Sequence, residues 1–384
     1  MVVLVYLGRF WHGCFVRPWG YWSAIMALSI GSAYYFGLLG TYWALTGEFT
    51  RWGGHLLGAL GVNTHTLGYF HIIGLHGTPL DRIDGMMLLG MFAGVFCASA
   101  WAGSLRFVWF ASYQQALRAF VGGVLAGFGA RLGMGCNLAS FLTGIPQFSL
   151  HAWFFTVATL LGVYGGVKVC AHACDLGTQG YSVPLGRGLG VVIFIFVLAW
   201  IAYGALFSNA KLACALGFGL GFGFIVARAQ ICFTNAFRDL FLWGKSGMVC
   251  ALVVGMMVSS IGVFSYINLG VPPKIMWASP GIFLGGLLFG LGIVLAGGCE
   301  CGWMYKAMQG QAHFIVVGVG NIVGASLVAL SWDHYASWIT NYPKINLLRV
   351  FGKLEGLALH FGLLLLLLLG VLGIAYAKTR SKPL

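Results

Sequence analysis

Long apolar runs dominate this chain, and short polar stretches separate them. An α-helix needs about 20 predominantly apolar residues to span a bilayer, and several runs reach that length. They cover residues 20–45, 84–104, 150–169, 188–207, 246–268, 313–331 and 355–377. The pattern predicts an all-α polytopic membrane protein. Residues 52–82 and 332–353 are less apolar, and we expect interfacial or re-entrant excursions there.

Two further apolar stretches are interrupted by glycine, and each leads to a Gly-Cys pair. The first covers 122–136 and the second covers 285–302. Six residues recur at one separation of 163 positions (299 minus 136): Gly122, Gly123, Gly127, Gly129, Gly135 and Cys136 match Gly285, Gly286, Gly290, Gly292, Gly298 and Cys299. The match indicates an internal duplication of a short, broken helix. Residues 211–227 and 229–243 form another pair of short pieces.

The composition supports a membrane protein over a soluble one. Hydrophobic residues make up 60% of the 384-residue chain, charged residues only 8%, and the mean hydropathy is +0.90. Soluble domains average about 25% charged residues, so a water-facing surface cannot be built from this supply. At about 20 residues per span, the chain has room for roughly 9 to 13 membrane segments. We expect one membrane domain in two repeat halves, 1–175 and 176–384.

The net charge of +13 does not indicate nucleic-acid binding, because the Lys and Arg residues are scattered. They are better explained by orientation in the membrane. Arg9 and Arg17 precede the first span, and Lys378, Arg380 and Lys382 follow the last one. Both termini are therefore expected in the cytoplasm, which requires an even number of crossings.

The breaks in the helices are where chemistry is expected. Broken helices in matching positions of two halves predict a transport site near the bilayer midplane, because half-helix N-termini carry partial positive charge. Cys136 and Cys299 fall at such breaks, and Cys232 falls at another. Each thiol has two plausible roles: a thiolate favoured by positive potential, or a weak S–H donor to a soft sulfur or selenium atom. Arg131 and Arg228 would balance an anion's charge.

Three acidic or sulfur-bearing positions remain open on sequence alone. Cys301 has Leu138 as its counterpart in the first copy. Glu300 is either a proton carrier or cation partner in the path, or a carboxylate at a water-exposed turn. Glu48 is either a coupling carboxylate or an ion-pair partner of Arg51. The glycines alone would also fit simple close packing of helices. The cluster Cys170-Ala-His172-Ala-Cys174 lacks a standard zinc spacing, and we predict no metal or other cofactor.

Four stretches resemble the YeeE/YedE sulfur-transport family, and most closely its YedE branch of selenium-metabolism membrane proteins. They are YWALTGEFTRWGG from Tyr42, GFGARLGMGCNLASFLTGIPQFSLHAWFF from Gly127, ARAQICFTNAFRD from Ala227 and GGLLFGLGIVLAGGCECGWMY from Gly285. The resemblance implies an inner-membrane protein with two inverted repeats and short helices meeting midway along a cysteine-lined path. Thiosulfate uptake is the activity it implies for the YeeE side, and movement of selenium or sulfur compounds for the YedE side. Many family members carry a cysteine where this chain has 44–48, and here there is none.

We therefore predict a non-enzymatic transporter of a small sulfur- or selenium-containing anion. The predicted path residues are Cys136, Cys299, Cys232, Cys301, Glu300, Arg131, Arg228 and Glu48. The alternative is a membrane thiol or persulfide transferase. Expected partners are the anion, the lipid bilayer and a cytoplasmic carrier protein for sulfur or selenium, but not nucleic acid.

Overall fold

The computed structural model describes residues 11–170, 180–182 and 186–380. Within these ranges, ten helical segments are long and apolar enough to cross a membrane, counting each broken helix once. This confirms the predicted all-α polytopic architecture, and the number lies within the range expected from chain length.

The elements are numbered in chain order. The helices are α1 (Tyr21–Leu39), α2 (Thr46–Ala59), α3 (Gly68–Ile73), α4 (Ile83–Trp101), α5 (Tyr113–Leu132), α6 (Leu150–Cys170), α7 (Gly186–Phe207), α8 (Ala210–Ala229), α9 (Phe233–Trp243), α10 (Gly247–Asn268), α11 (Pro280–Ala296), α12 (Glu300–Met308), α13 (Ala312–Tyr335), α14 (Ser337–Thr340), α15 (Leu347–Phe351) and α16 (Lys353–Arg380). Strands β1 (Arg106–Val108) and β2 (Gly180–Ser182) pair antiparallel. Segments His12–Val16 and Asn137–Leu142 are π-helical, and Thr64–Thr66, Pro79–Asp81 and Ile145–Gln147 are 3₁₀-helical.

Helices α5 and α11, the two copies of the repeat, pack against each other in antiparallel orientation. A Cβ on Gly122 would lie 2.9 Å from Ala296 Cα, and one on Gly285 would lie 2.7 Å from Gly133 Cα. The two contacts are equivalent, because Gly285 corresponds to Gly122 and Ala296 corresponds to Gly133 at the repeat separation of 163 positions. The two copies are therefore related by a pseudo-two-fold axis, and small residues allow their backbones to approach this closely.

The remaining spans pair across the two halves. Helix α5 packs along α13, and α11 packs along α6. Helix α4 packs along α8, and α1 along α10, again as corresponding pairs. The two sequence halves thus interleave rather than forming separate bodies. The predicted boundary between residues 175 and 176 lies outside the described residues.

Left-handed backbone positions reveal how far the duplication extends. Met134 (φ 50°) corresponds to Gly297 (φ 72°) at a separation of 163, whereas Phe148 (φ 61°) corresponds to Gly310 (φ 97°) at 162. The π-helical segment Asn137–Leu142 lies between them. A π-bulge accommodates one extra residue in a helix, so it accounts for the shift in separation. It also explains why the sequence match fades after Cys136.

Helices α2 and α9 are half-helices that begin inside the bundle. After α1 the chain turns inward, where the Trp43 ring stacks on Phe222 with centroids 4.1 Å apart. Thr143 Oγ1 donates to the Trp43 carbonyl at 3.0 Å. The excursion predicted at 52–82 therefore begins earlier than expected. The chain turns inward directly after α1, and α2 already begins at Thr46.

Both ends of the described chain lie at one end of the bundle. A Cβ on Gly247 would lie 2.5 Å from the Tyr21 hydroxyl, at the start of α1. A Cβ on the nearby Gly244 would lie 3.0 Å from Lys378 Cβ, near the end of α16. An even number of crossings agrees with this placement.

The close approach of α5 and α11 leads to a stability prediction. A Cβ on Gly292 would lie 2.9 Å from Ala126 Cα, where no flexible side chain can yield. Gly292→Ala is expected to destabilise the protein by about 1–3 kcal/mol, the usual cost of overpacking. The measurement is the thermal midpoint in detergent, followed by fluorescence-detected size exclusion.

Gly221→Ala is the matched control, because nothing lies within 4 Å of a Cβ at that helical position. Its midpoint should equal that of the wild type or exceed it. Equal midpoints for both variants would contradict the described packing of α5 on α11.

Candidate functional site

Three helix pieces that begin inside the membrane have a cysteine as N-cap. These residues are Cys136 for the π-helical segment, Cys232 for α9 and Cys299 for α12. N-cap positions normally hold Ser, Thr, Asp or Asn, whose oxygens accept from free backbone amides. Here sulfur occupies that position, and Cys136 Sγ accepts from the Ala139 amide at 3.4 Å. Each sulfur is therefore set in the positive potential of a helix N-terminus.

Cys232 and Cys299 lie next to each other, although 67 positions separate them in sequence (299 minus 232). A Cβ on Gly302 would lie 2.8 Å from Cys232 Sγ and 3.5 Å from Cys299 Sγ. The two sulfurs are thus no farther apart than the sum of these distances. Gly302 leaves the room that both sulfurs need.

Cys301 connects this pair to the first repeat. Its thiol lies within electrostatic range of both Cys232 and Cys136. The segments that follow Cys136 and Cys232 also pack together, because the rings of Phe141 and Phe233 approach edge to face with centroids 6.3 Å apart. All four predicted cysteines are buried, with at most 1% exposure, so none of them faces the lipid.

Arg131 is a buried cation of this region. It is 6% exposed, and its Nη2 donates to the hydroxyl of Thr46, at the start of α2. Its Nε is buried and has no hydrogen-bond partner among the described residues. Its guanidinium lies within electrostatic range of Cys136 and Glu300. The structure therefore places Arg131 near Cys136 and Glu300.

Glu300 is buried, with 2% exposure, and is not at a water-exposed turn. Asn321 Nδ2 donates to its Oε1 at 2.7 Å, and Trp303 Nε1 donates to its Oε2 at 3.1 Å. The Trp303 ring also contacts Phe49 of α2, with centroids 4.7 Å apart. This carboxylate thus belongs to the interior, next to the thiols of its own helix.

Glu48 is paired with two arginines, so the ion-pair alternative describes its geometry. Arg82 Nη2 lies 2.6 Å from Glu48 Oε1, and Arg51 Nη1 lies 3.2 Å from Glu48 Oε2. Arg51 also pairs with Asp84 at 3.0 Å. Two carboxylates and two guanidinium groups form a neutral cluster. The cluster joins α2 to α4 and to the loop that precedes α4. The partner that sequence did not identify is Arg82, 34 residues away.

Arg228 is placed differently from Arg131. Its Nη2 donates to the Val16 carbonyl, and its own carbonyl accepts from the Trp19 amide. Among the described residues, no hydrogen bond joins the Arg228 side chain to a cysteine, and its buried Nε has no hydrogen-bond partner. A role for Arg228 beside the thiols stays a prediction.

Several polar residues near the thiols were not predicted. Asn137 Nδ2, Ser140 Oγ and Thr234 Oγ1 are buried and lack a hydrogen-bond partner in the part of the chain the structure describes. Each lies within four residues of an N-cap cysteine, which is the sequence signal that identifies them. They are free to donate to a ligand at the breaks.

No group of three metal-ligating side chains occurs within residues 11–170, 180–182 and 186–380. Most of the Cys170–Cys174 cluster lies outside these described residues.

Apolar spans that enclose broken helices and buried thiols define a polytopic membrane protein. The chain belongs to the sulphur transport family, whose model matches residues 7–165 and 228–384. The chain is 48% identical over 380 residues to "Probable transporter YedE" of Escherichia coli, covering 95% of this chain and 94% of the relative. Its Salmonella typhimurium namesake is also 48% identical, over 93% of each chain. The "Thiosulfate transporter TsuA" of Escherichia coli is 42% identical over 90 residues, 23% of this chain and 26% of that protein.

Loss of Arg82 tests the ion cluster that holds α2. Removing one partner of a buried ion pair costs roughly 3–5 kcal/mol, because it leaves an uncompensated charge. Arg82→Ala is therefore expected to lower the thermal midpoint strongly, and adding Glu48→Gln should recover part of the loss.

Arg238→Ala is the matched control, since Arg238 pairs with Asp239 at a partly exposed position. Exposed pairs contribute at most about 1 kcal/mol. If the two arginine variants lost the same stability, the cluster would not hold α2 as described.

Proposed function

We propose that this protein transports a small sulfur-containing anion of the thiosulfate type across the membrane, with selenium analogues as further substrates. The observation that carries the proposal is the set of three N-cap cysteines at helix breaks inside one bundle. Membership of the sulphur transport family supports it, as do relatives named as transporters, one of them for thiosulfate.

The helix breaks offset the cost of bringing an anion into the membrane. An isolated buried charge is expensive unless it is paired. Each half-helix N-terminus carries the equivalent of roughly +0.5 charge, and Arg131 adds a full positive charge. Amides left unpaired by the breaks, together with Asn137, Ser140 and Thr234, supply hydrogen-bond donors.

The two kinds of donor suit an anion with two different ends. A thiol is a weak donor that matches a soft, polarisable sulfur or selenium atom. A guanidinium matches the oxygens of a sulfonate-like group, which it can bind through two N–H donors. We assign the soft end to Cys136, Cys232, Cys299 and Cys301. We assign the oxygen end to Arg131, which is held beside the Thr46 hydroxyl.

The start of α2 is where the chain departs from family members that carry a cysteine in this half-helix. Here the N-cap is Leu45, followed by Thr46. A hydroxyl next to a guanidinium favours oxygen over sulfur. The path in this protein would therefore combine three breaks that begin at a cysteine with one oxygen-selective break.

A membrane thiol or persulfide transferase is the second candidate, because the neighbouring thiols of Cys232 and Cys299 could carry transferred sulfur. Both thiols are almost fully buried, however, and a carrier protein cannot reach them without a conformational change. A transporter needs no such contact with a protein acceptor.

Uptake into sealed liposomes that contain only this protein tests the proposal. We expect radiolabelled thiosulfate to enter, and Cys299→Ala or Cys232→Ala to reduce the initial rate at least tenfold, about 1.4 kcal/mol in the barrier. Selenite, selenide and sulfide added as competitors would define the substrate range. A transferase that needs an acceptor would give no flux.

Cys250→Ala is the control variant, since Cys250 lies within α10, apart from the breaks. It should transport at the wild-type rate, with all variants recovered equally in the membrane. Wild-type uptake by Cys299→Ala and Cys232→Ala would remove these thiols from the mechanism.

We also propose that both termini face the cytoplasm. Trp11 contacts Trp101 with ring centroids 5.4 Å apart, which places the end of α4 and β1 at the same end of the bundle as the termini. Basic residues collect at this end: Arg106, Arg187, Lys245, Lys378 and Arg380. An excess of Lys and Arg marks the cytoplasmic face of bacterial inner-membrane proteins.

Reporter fusions test this orientation. Green fluorescent protein fused to the C-terminus is expected to fluoresce, and alkaline phosphatase at the same position is expected to be inactive. An active phosphatase fusion with a dark fluorescent fusion would reverse the orientation.

A further inference from the structure

The two buried glutamates of the bundle are stabilised in opposite ways. Glu48 pairs with Arg82 and Arg51, so its charge is compensated permanently. Glu300 accepts hydrogen bonds only from the neutral groups of Asn321 and Trp303. Among the described residues it has no salt bridge within 4.0 Å. The charge on Glu300 is therefore free to change.

Charge balance links Glu300 to the anion. Arg131 is the cation within electrostatic range of Glu300, and it forms no ion pair with it. Without substrate, the positive Arg131 and the negative Glu300 balance each other across the site. An arriving anion takes up the charge of Arg131, and it leaves the Glu300 carboxylate as uncompensated negative charge in a low-dielectric interior. Burying such a charge is costly, and protonation removes it.

We propose that Glu300 binds a proton when the anion occupies the site, so that one proton crosses the membrane with each anion. This inference rests on the proposed transport function. The proton adds to a Glu300 carboxylate oxygen from the side where the anion enters and leaves on the other side with it. A monoanion then crosses without net charge, and a dianion crosses with one negative charge.

The surroundings of Glu300 favour a proton over a metal cation as the coupled ion. A metal cation at a carboxylate needs several more oxygen ligands. The groups that face Glu300 are instead the N–H donors of Asn321 and Trp303 and the guanidinium of Arg131. Positive and donor groups would repel a bound cation, whereas a single proton needs only one acceptor.

The titratable groups around Glu300 come from each neighbouring element. Arg131 lies on α5, Cys136 caps the π-helical segment, and Cys301 follows on the same helix. Cys232 and Cys299 lie beyond Cys301, and Tyr305 and Lys306 of the same helix lie within electrostatic range of Cys232. Because Glu300 is the carboxylate among these groups, we assign it as the proton acceptor.

Asn321 can serve both protonation states of Glu300. Its amide Nδ2 donates to the carboxylate at 2.7 Å. After rotation by 180° about the last side-chain bond, its Oδ1 would accept from a protonated carboxyl group, since an amide carries both donor and acceptor atoms. The first repeat lacks this pair, because Asn137 and Thr159 occupy the corresponding positions.

The experiment measures proton and anion influx together in liposomes loaded with a pH-sensitive dye. For the wild type, thiosulfate influx should acidify the lumen with one proton per anion. An acidic exterior should also drive accumulation that a protonophore abolishes. In Glu300→Gln we expect the number of protons per anion to fall to zero and the pH-driven accumulation to be lost. Exchange of labelled for unlabelled thiosulfate should remain measurable.

Glu355→Gln is the control variant, because Glu355 is exposed at the start of α16. It should keep the wild-type proton ratio. Wild-type influx without acidification would overturn the proposal, and this result does not depend on any variant folding. Full pH-driven accumulation by Glu300→Gln would overturn it as well. If wild-type liposomes took up no anion under any gradient, the transport function itself would fail instead.

Discussion

The structure depends on one constraint: a backbone amide in the membrane interior must find a partner. A continuous helix meets this demand by itself, but a broken one leaves the first amides of its second piece unpaired. This protein places such breaks inside a single bundle. Cysteine is the N-cap residue of three of the pieces, with the Cys136 sulfur accepting from a backbone amide, and the fourth piece begins at a threonine that binds Arg131. The breaks are tolerable because other helices cover them, and they create the positive potential that an anion needs.

Packing of small residues makes this arrangement possible. The two copies of the repeat cross at glycines that bring backbone against backbone, and each copy also packs along a long helix of the other half. Interleaving of this kind surrounds the breaks with protein on all sides. It also means that residues distant in sequence meet at the centre, such as Arg131 with Thr46 or Cys232 with Cys299.

The buried charges divide into fixed and adjustable ones. The cluster of Glu48, Arg82, Arg51 and Asp84 is neutral by itself and anchors α2. Arg131 and Glu300 carry opposite charges without direct contact, so either one can respond to a ligand. The proposed transport of an anion would require this freedom, because permanent pairing of both charges would leave no charge to attract the anion.

The sequence by itself determined the membrane class, most of the spans, the duplicated broken helix and the cysteines at its turns. These follow from local features: apolar length, glycine placement and exact recurrence along the chain. Tertiary structure alone decided which polar groups meet. It assigned Arg82 to Glu48, Asn321 to Glu300 and Arg228 to the N-terminal segment, and it showed that one π-helical residue shifts the repeat. No local pattern encodes such pairings, because they depend on how helices cross, and the contacts join residues tens to hundreds of positions apart.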